Sequence, residues 1–167
     1  MEKNKNSQRR IRYTEIAPKG TMFLRELEDY IKETDLEPLL IELVKIRSSQ
    51  INGCAFCIDM HTKDARDQGE SEQRLYGVSV WREAPYYSDR ERAALEWTEI
   101  ITKISEVHIS DEIYAPIKAH FTDKEMVDLT LAIDAINSWN RLAIAFQSPA
   151  GSYLPDHPAT KRSAGSK

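Results

Sequence analysis

Both cysteines of the 167-residue chain and one of its four histidines fall within Ser49-Gln50-Ile51-Asn52-Gly53-Cys54-Ala55-Phe56-Cys57-Ile58-Asp59-Met60-His61. If a helix begins just after Asn52-Gly53, then at about 100° per residue Cys54, Cys57 and His61 take relative angles of roughly 0°, 300° and 340°, one stripe facing one pocket. A thiol reacts as its thiolate. A helix N-terminus and a nearby imidazole both favour that form, and His61 at i+4 from Cys57 is placed to stabilise or generate a thiolate there. The second thiol, at i−3, can attack a sulfenic acid or mixed disulfide on the first and close a Cys54–Cys57 disulfide.

Other chemistries compete for the same residues. Covalent haem attachment needs a histidine directly after the second cysteine, and Ile58 stands there. A zinc ion could take Cys54, Cys57 and His61, but no second Cys-x-x-Cys or His-x₃-His supplies a fourth ligand. Two inert buried cysteines would show the same spacing. A thioredoxin-like domain, the usual home of Cys-x-x-Cys, needs strands in a βαβ arrangement, and the chain has almost no strand signal.

The elements that must position these residues read as helices almost throughout. A first helix is expected over 21–33, with Phe23, Leu24, Leu27 and Ile31 as its apolar stripe. A second, N-capped by Asp35 with Pro38 in its first turn, carries Leu36, Leu39, Leu40, Leu43, Val44 and Ile46 to about residue 50. The helix of the cysteines follows over 53–68, closed by Gly69, and a short helix over 71–81 comes next. Residues 82–87 read as a loop. Ser88-Asp89-Arg90-Glu91 and Thr122-Asp123-Lys124-Glu125 are capping boxes, and the helix after the second, stopped by Pro149 and Gly151, is expected at the centre of the core. Between them a short helix from Ser110 meets Pro116, which should kink or interrupt it.

This describes one all-α domain, a bundle of six to seven helices over 20–150, with a basic lead-in over 1–19 and a Pro-, Ser- and Gly-rich tail over 151–167 read as loose. Residues 1–12 hold five basic residues (Lys3, Lys5, Arg9, Arg10, Arg12) against one acid, which puts the rest of the chain at −8 within a net charge of −4. An acidic body argues against nucleic acid as partner, and the lead-in reads as a solvated terminus. No apolar run is long enough to span a membrane or form a signal peptide, so the expected setting is the cytoplasm, where a Cys-x-x-Cys pair is more often catalytic or metal-binding than a structural staple.

With helical surroundings established, the motif resembles the AhpD-like alkylhydroperoxidase branch of the carboxymuconolactone decarboxylase family, whose signature is a glutamate, eleven residues, then Cys-x-x-Cys-x-x-x-His. Glu42, Cys54, Cys57 and His61 match it. The resemblance spans about residues 20–147, including Met60-His61-Thr62-Lys63-Asp64-Ala65-Arg66, Trp81-Arg82-Glu83 and Ile136-Asn137-Ser138-Trp139-Asn140-Arg141. It implies an AhpD-like fold and a thiol-dependent peroxidase, free of metal and flavin, that reduces hydrogen peroxide or organic hydroperoxides. By the same analogy Cys57 is the peroxidatic cysteine, Cys54 resolves it, and His61 with Glu42 relays protons. It further implies an unidentified thiol reductant and a homotrimer or a multiple of one. The best-studied peroxidases of this branch carry a histidine between the cysteines where this chain has Phe56, which implies a shorter relay. A dithiol–disulfide oxidoreductase, or a non-enzymatic helical redox-sensing or binding module, is the alternative.

Read without the family pattern, Glu42 is a solvated residue paired with Lys45 at i+3. Asp134, Asn137 and Arg141 share a face of the last helix, as a polar network, a subunit contact or a solvated surface. His108, His120 and His157 read as surface residues, and Trp81, Tyr86, Tyr87, Trp97 and Trp139 as core or interface.

Overall fold

The computed structural model describes residues 9–155 and is all-helical across them. Eight α-helices run in the order α1 (Tyr13–Ile16), α2 (Pro18–Lys32), α3 (Pro38–Asn52), α4 (Ala55–Asp67), α5 (Glu72–Gly77), α6 (Asp89–Thr102), α7 (Asp111–Lys118) and α8 (Asp123–Ala145), with a 3₁₀ turn at Val78–Val80. The count exceeds the expected six to seven because α1, a single turn without an apolar stripe, lies inside the presumed lead-in. α2 also starts earlier than its stripe suggests. Pro18 occupies its first turn, where the missing N–H costs nothing.

The apolar face of α2 is narrower than expected, since Ile31 is buried and Leu27 packs on the core while Phe23 is 66% exposed. α3 starts at Pro38 behind Glu37, not Asp35, because the Glu37 backbone is extended and Pro38 takes the first helical position. Both capping boxes form, at Ser88 with Glu91 and at Thr122 with Glu125. Pro116 does not end α7, which runs two residues further, so the lost backbone hydrogen bond is absorbed near the helix end.

α3 shares the centre with α8. Every residue of α3 from Leu40 to Ile46 is buried, and the helix lies against α4, α6 and α8. One apolar cluster joins Ile31, Leu40, Ile41 and Val44 to Ala94, Trp97, Leu129 and Ile133 across α2, α3, α6 and α8. A second packs Leu43 and Ile46 against Ala65, Leu75, Val78, Trp81 and Leu95. The loop expected over 82–87 is present. The guanidinium of Arg92 holds it by donating to the carbonyl oxygens of Trp81, Arg82, Ala84 and Tyr87.

Within the described parts of the lead-in and the tail, residue 10 and residues 151–153 are held by hydrogen bonds. Arg10 donates its backbone N–H to Phe146 O at 2.9 Å and its guanidinium to Ala145 O at 3.2 Å, so a basic residue satisfies carbonyls at the negative end of α8. Past α8, Gly151 N–H donates to Asp59 Oδ2 at 2.9 Å and Tyr153 donates its hydroxyl to Asp64 Oδ1 at 2.7 Å, fastening residues 151–153 along α4. Lys3, Lys5, His157 and the rest of the tail lie outside the described residues.

α3 and α4 are joined by a sharp reversal at Gly53, the C-cap of α3, with φ 72° and ψ 32°. Gly53 therefore ends one helix instead of opening the next, and Cys54 becomes the N-cap of α4. The left-handed conformation is strained for any residue with a Cβ. Gly53→Ala, which meets no steric obstacle at that point, is expected to lose about 1–2 kcal/mol of unfolding free energy, measured by urea denaturation. An unchanged midpoint would contradict this account of the turn.

Candidate functional site

The reversal at Gly53 sets Cys54 where its sulfur can serve a helix end. Its N–H donates to Ser49 O at 2.9 Å, its backbone is extended, and its Sγ accepts the N–H of Cys57 at 3.4 Å. Cysteine thus takes the role usually given to a serine or aspartate oxygen at the N-cap. Both thiols are free and almost fully buried. They pack with Ile136 and Ala143 of α8 and with the rings of Phe56 and Trp139.

Burial and the helix end act differently on the two sulfurs. The Cys57 thiol donates to Cys54 and, with the backbone N–H groups of Cys57 and Phe56, lowers the Cys54 pKa to about 7. Cys57 is pushed upward, chiefly because its proton is engaged with Cys54 and because burial and the neighbouring sulfur oppose a second negative charge. The side-chain amide of Asn140 favours the thiolate at both.

Asn140 belongs to a buried polar network that carries the cysteine turn. Its Nδ2 donates to Ser49 Oγ at 3.1 Å, and its Oδ1 accepts from Asn52 Nδ2 at 2.9 Å. Asn52 also donates to Asn137 Oδ1 at 2.7 Å, while Asn137 donates to Thr102 Oγ1 and to Ile133 O. Of the polar face read on the last helix, Asn137 is therefore internal, whereas Asp134 and Arg141 are exposed. Asn140 was readable only as part of the family-like 136–141 segment, because its i+3 spacing from Asn137 does not by itself distinguish a buried pair from a solvated one.

His61 and Glu42 meet across α4 and α3. His61 Nδ1 lies 2.9 Å from Glu42 Oε2, with both side chains buried. This hydrogen bond puts the ring proton on Nδ1 and leaves Nε2 as the basic nitrogen. Glu42 is not paired with Lys45 as its spacing allowed. Lys45 is itself buried and forms an ion pair with Glu28 of α2.

A cavity of about 650 Å³ opens beside these groups, lined by Glu42, Phe56, Cys57, Met60, His61 and Trp139, and also by Tyr153 and Pro155 from the segment after α8. Cys57 reaches this space, and Cys54 is not among its lining residues. All four expected site residues are brought together, but only three face the cavity. Trp139, expected as core or interface, contributes to the wall, while Trp81, Tyr87 and Trp97 are buried and His108 and His120 are exposed.

Among the described residues, one group of His, Cys, Asp and Glu side chains has its polar atoms within 4.8 Å of one another: Glu42, His61 and Asp64. It contains neither cysteine, so the imagined Cys54, Cys57 and His61 set is not what the fold assembles. Its atoms already share hydrogen bonds, Glu42 with His61 and Asp64 with Tyr153. The arrangement suits movement of protons.

The asymmetry between the thiols has a direct test. Rates of alkylation of Cys54 by iodoacetamide should titrate near pH 7, falling below that pH as the thiolate is protonated. Cys57→Ala, which removes the donor, should move the midpoint up toward the ordinary thiol value of about 8.5, while Cys57→Ser, which keeps a hydroxyl to donate, should move it less. Equal midpoints for Ala and Ser would remove the Cys57 hydrogen bond as the cause.

Known proteins place this geometry in a family. The family model described as carboxymuconolactone decarboxylase matches residues 19–99, which include all four site residues. The uncharacterized protein YdfG of Bacillus subtilis (strain 168) is 48% identical over 143 residues, covering 86% of this chain and 97% of that one. The uncharacterized protein YnjA of Escherichia coli (strain K12) is 32% identical over 130 residues, covering 78% and 70%. The crystal structure of ATU0492 from Agrobacterium tumefaciens, a protein of unknown function assigned provisionally to AhpD antioxidant defence, superposes with a TM-score of 0.81 at 44% identity over 90% of this chain and 100% of that one. On its sequence and its AhpD-like all-helical fold, the chain belongs to the carboxymuconolactone decarboxylase family.

Proposed function

We propose that the protein is a thiol-dependent peroxidase that reduces hydrogen peroxide or organic hydroperoxides through Cys54 and Cys57. The observation that carries the proposal is the meeting of Cys57 with His61 on one cavity while Glu42 holds the other face of the imidazole at 2.9 Å. The name of the Agrobacterium tumefaciens relative, which refers to antioxidant defence, supports the same reading.

In the first step His61 Nε2 takes the Cys57 proton. The thiolate attacks one peroxide oxygen, the O–O bond breaks, and the departing alkoxide or hydroxide takes the proton back from His61. Cys57 is then a sulfenic acid and the peroxide has become an alcohol or water. In the second step the Cys54 sulfur displaces the hydroxyl of the sulfenic acid, which leaves as water with the proton that Cys54 or the relay supplies. Two thiols and one hydroperoxide thus give one disulfide, one alcohol and one water, and an external thiol reductant restores the pair.

The electrostatics fit this division of labour. Cys54 holds negative charge readily, as a resolving nucleophile should, while Cys57 faces the substrate but gives up its proton with difficulty. That difficulty is what a general base overcomes. A homotrimer or a multiple of one is part of the proposal, supported by the exposure of Ile16, Met22 and Phe23 at the start of the bundle. Cytoplasmic residence is likewise proposed. Among the described residues no helix is long and apolar enough to cross a membrane.

Stopped-flow oxidation of the reduced protein tests the roles of the thiols. Cys57→Ser should abolish peroxide consumption, and Cys54→Ser should allow one turnover and trap a sulfenic acid or mixed disulfide on Cys57, seen by mass spectrometry. Initial oxidation surviving in Cys57→Ser and lost in Cys54→Ser would reverse the assignment. Slow reaction with peroxide beside rapid exchange with disulfides would favour a dithiol–disulfide oxidoreductase, the activity for which the lowered Cys54 is also suited.

The relay predicts a pH signature. His61→Gln should slow thiol oxidation at pH 7 by about 10²–10⁴-fold, the range for a lost general acid–base group, with a smaller loss for Glu42→Gln. Because the hydrogen bond to Cys54, burial and the neighbouring sulfur keep the Cys57 thiol above the ordinary thiol range, the base is still needed at higher pH, so the defect should persist from pH 7 to pH 9. Rates within twofold of wild type at pH 7 in both variants would leave no role for the relay.

A further inference from the structure

Asp64 stands one helical turn beyond His61 on α4. Its carboxylate lies within 4.8 Å of the polar atoms of both His61 and Glu42, and it is partly buried on the wall of the same cavity. Tyr153 donates to Asp64 Oδ1 at 2.7 Å from the segment that follows α8. That segment is fastened to the same helix again, by Gly151 N–H on Asp59 and by Lys63 Nζ donating to Tyr153 O at 3.0 Å. The chain thus devotes two α4 side chains, Asp59 and Lys63, and a tyrosine to fixing one carboxylate beside the imidazole.

The charges around Asp64 leave His61 as the group that gains from it. Glu42 and Lys45 face it from α3, Lys32 and Glu28 from α2, His61 and Asp67 from α4, and Tyr153 from the C-terminal segment. Lys45 is committed to Glu28 and Lys32 to Asp29. Burial first, and the nearby Glu42 carboxylate with it, push the Asp64 carboxyl above its ordinary range, while the Tyr153 hydrogen bond and the His61 and Lys45 charges pull it down. An imidazole that must accept a proton in a buried site therefore has a carboxylate on Nδ1 and a second negative charge one turn away.

We propose that Asp64, fastened by Tyr153, is the second carboxylate of the proton relay, a positioning residue that supports the His61 imidazolium while the Cys57 proton is in transit. The inference deepens the thiol-peroxidase reading and rests on it for the identity of the oxidant. The proton leaves Cys57 for His61 Nε2 and returns to the departing oxygen, while Asp64 stays ionised throughout and neither gains nor loses an atom. Its support disappears as the carboxyl protonates, so Asp64 sets an acid limb on the pH profile of Cys57 reactivity.

The test follows Cys57 in the full-length reduced protein from pH 5 to 9 with two reagents: cumene hydroperoxide, and iodoacetamide with the modified cysteine located by peptide mass. Asp64→Asn keeps an oxygen for Tyr153 to donate to. It should nevertheless slow both reactions about tenfold at pH 7, the effect of one pKa unit, and remove the acid limb. Tyr153→Phe keeps the charge but withdraws a donor to the carboxylate, so the limb should move to higher pH with rates at pH 8 near wild type. A purely structural clamp predicts the opposite pattern, in which Tyr153→Phe slows the reactions equally at every pH and Asp64→Asn does little, and that result overturns the inference. So does an unmoved limb in Tyr153→Phe, which decides alone if Asp64→Asn fails to fold. A wild-type protein inert to peroxide, with the expected alkylation profiles, would reject the peroxidase reading and leave Asp64 as support for a different thiol reaction.

Discussion

The hydrogen bond between Glu42 and His61 is the constraint around which the centre of the molecule is arranged. α3 is buried on nearly all sides, yet it carries two ionisable side chains, Glu42 and Lys45, into the interior. Leaving either without a partner in such surroundings costs several kcal/mol, so the neighbouring helices must supply partners. α4 brings His61 to one and α2 brings Glu28 to the other. The packing order of α2, α3 and α4 thereby also fixes the cavity wall, because the contact that satisfies the buried carboxylate holds the imidazole at the cavity that Cys57 lines as well.

The polar network beneath the cysteine turn plays a parallel part. Asn52, Ser49 and Ser48 from the end of α3 are bonded to Asn137 and Asn140 of α8, so the turn at Gly53 is seated on α8 by directional contacts as well as by apolar packing. Every buried side-chain nitrogen and oxygen among the described residues finds a partner. Such a network is stabilising only when complete. A turn that must hold two sulfurs at a fixed separation benefits from that all-or-none character.

How far this was readable from the chain depends on whether a feature is local. Capping boxes at Ser88 and Thr122 state their helix starts within four residues, and both were legible. The Cys54, Cys57, His61 stripe was legible only in part: Cys57 and His61 lie within α4 and line one cavity, whereas Cys54 precedes the helix as its extended N-cap, where α-helical periodicity no longer applies, and does not line it. Glu42 was assigned through the family pattern alone, since its neighbours in sequence point to Lys45. The choice between Lys45 and His61 is made by which helix packs against α3, and no local signal carries that. The same applies to Asn140 and Tyr153, whose partners lie 91 and 89 residues away. The start of the cysteine helix was placed at Gly53, two residues early, because a glycine between two helices can close the first or open the second, and only the left-handed backbone settles it.

The placement of residues 151–155 has an evolutionary consequence. Cys57, His61 and both asparagines are supplied by the buried faces of helices, whereas part of the cavity wall comes from a short stretch after the last helix, pinned at a few points to α4. Drift in that stretch can reshape the cavity while the helical bundle stays fixed. Proteins built on this scaffold can thus differ in the shape of their cavity while sharing the helices that frame it.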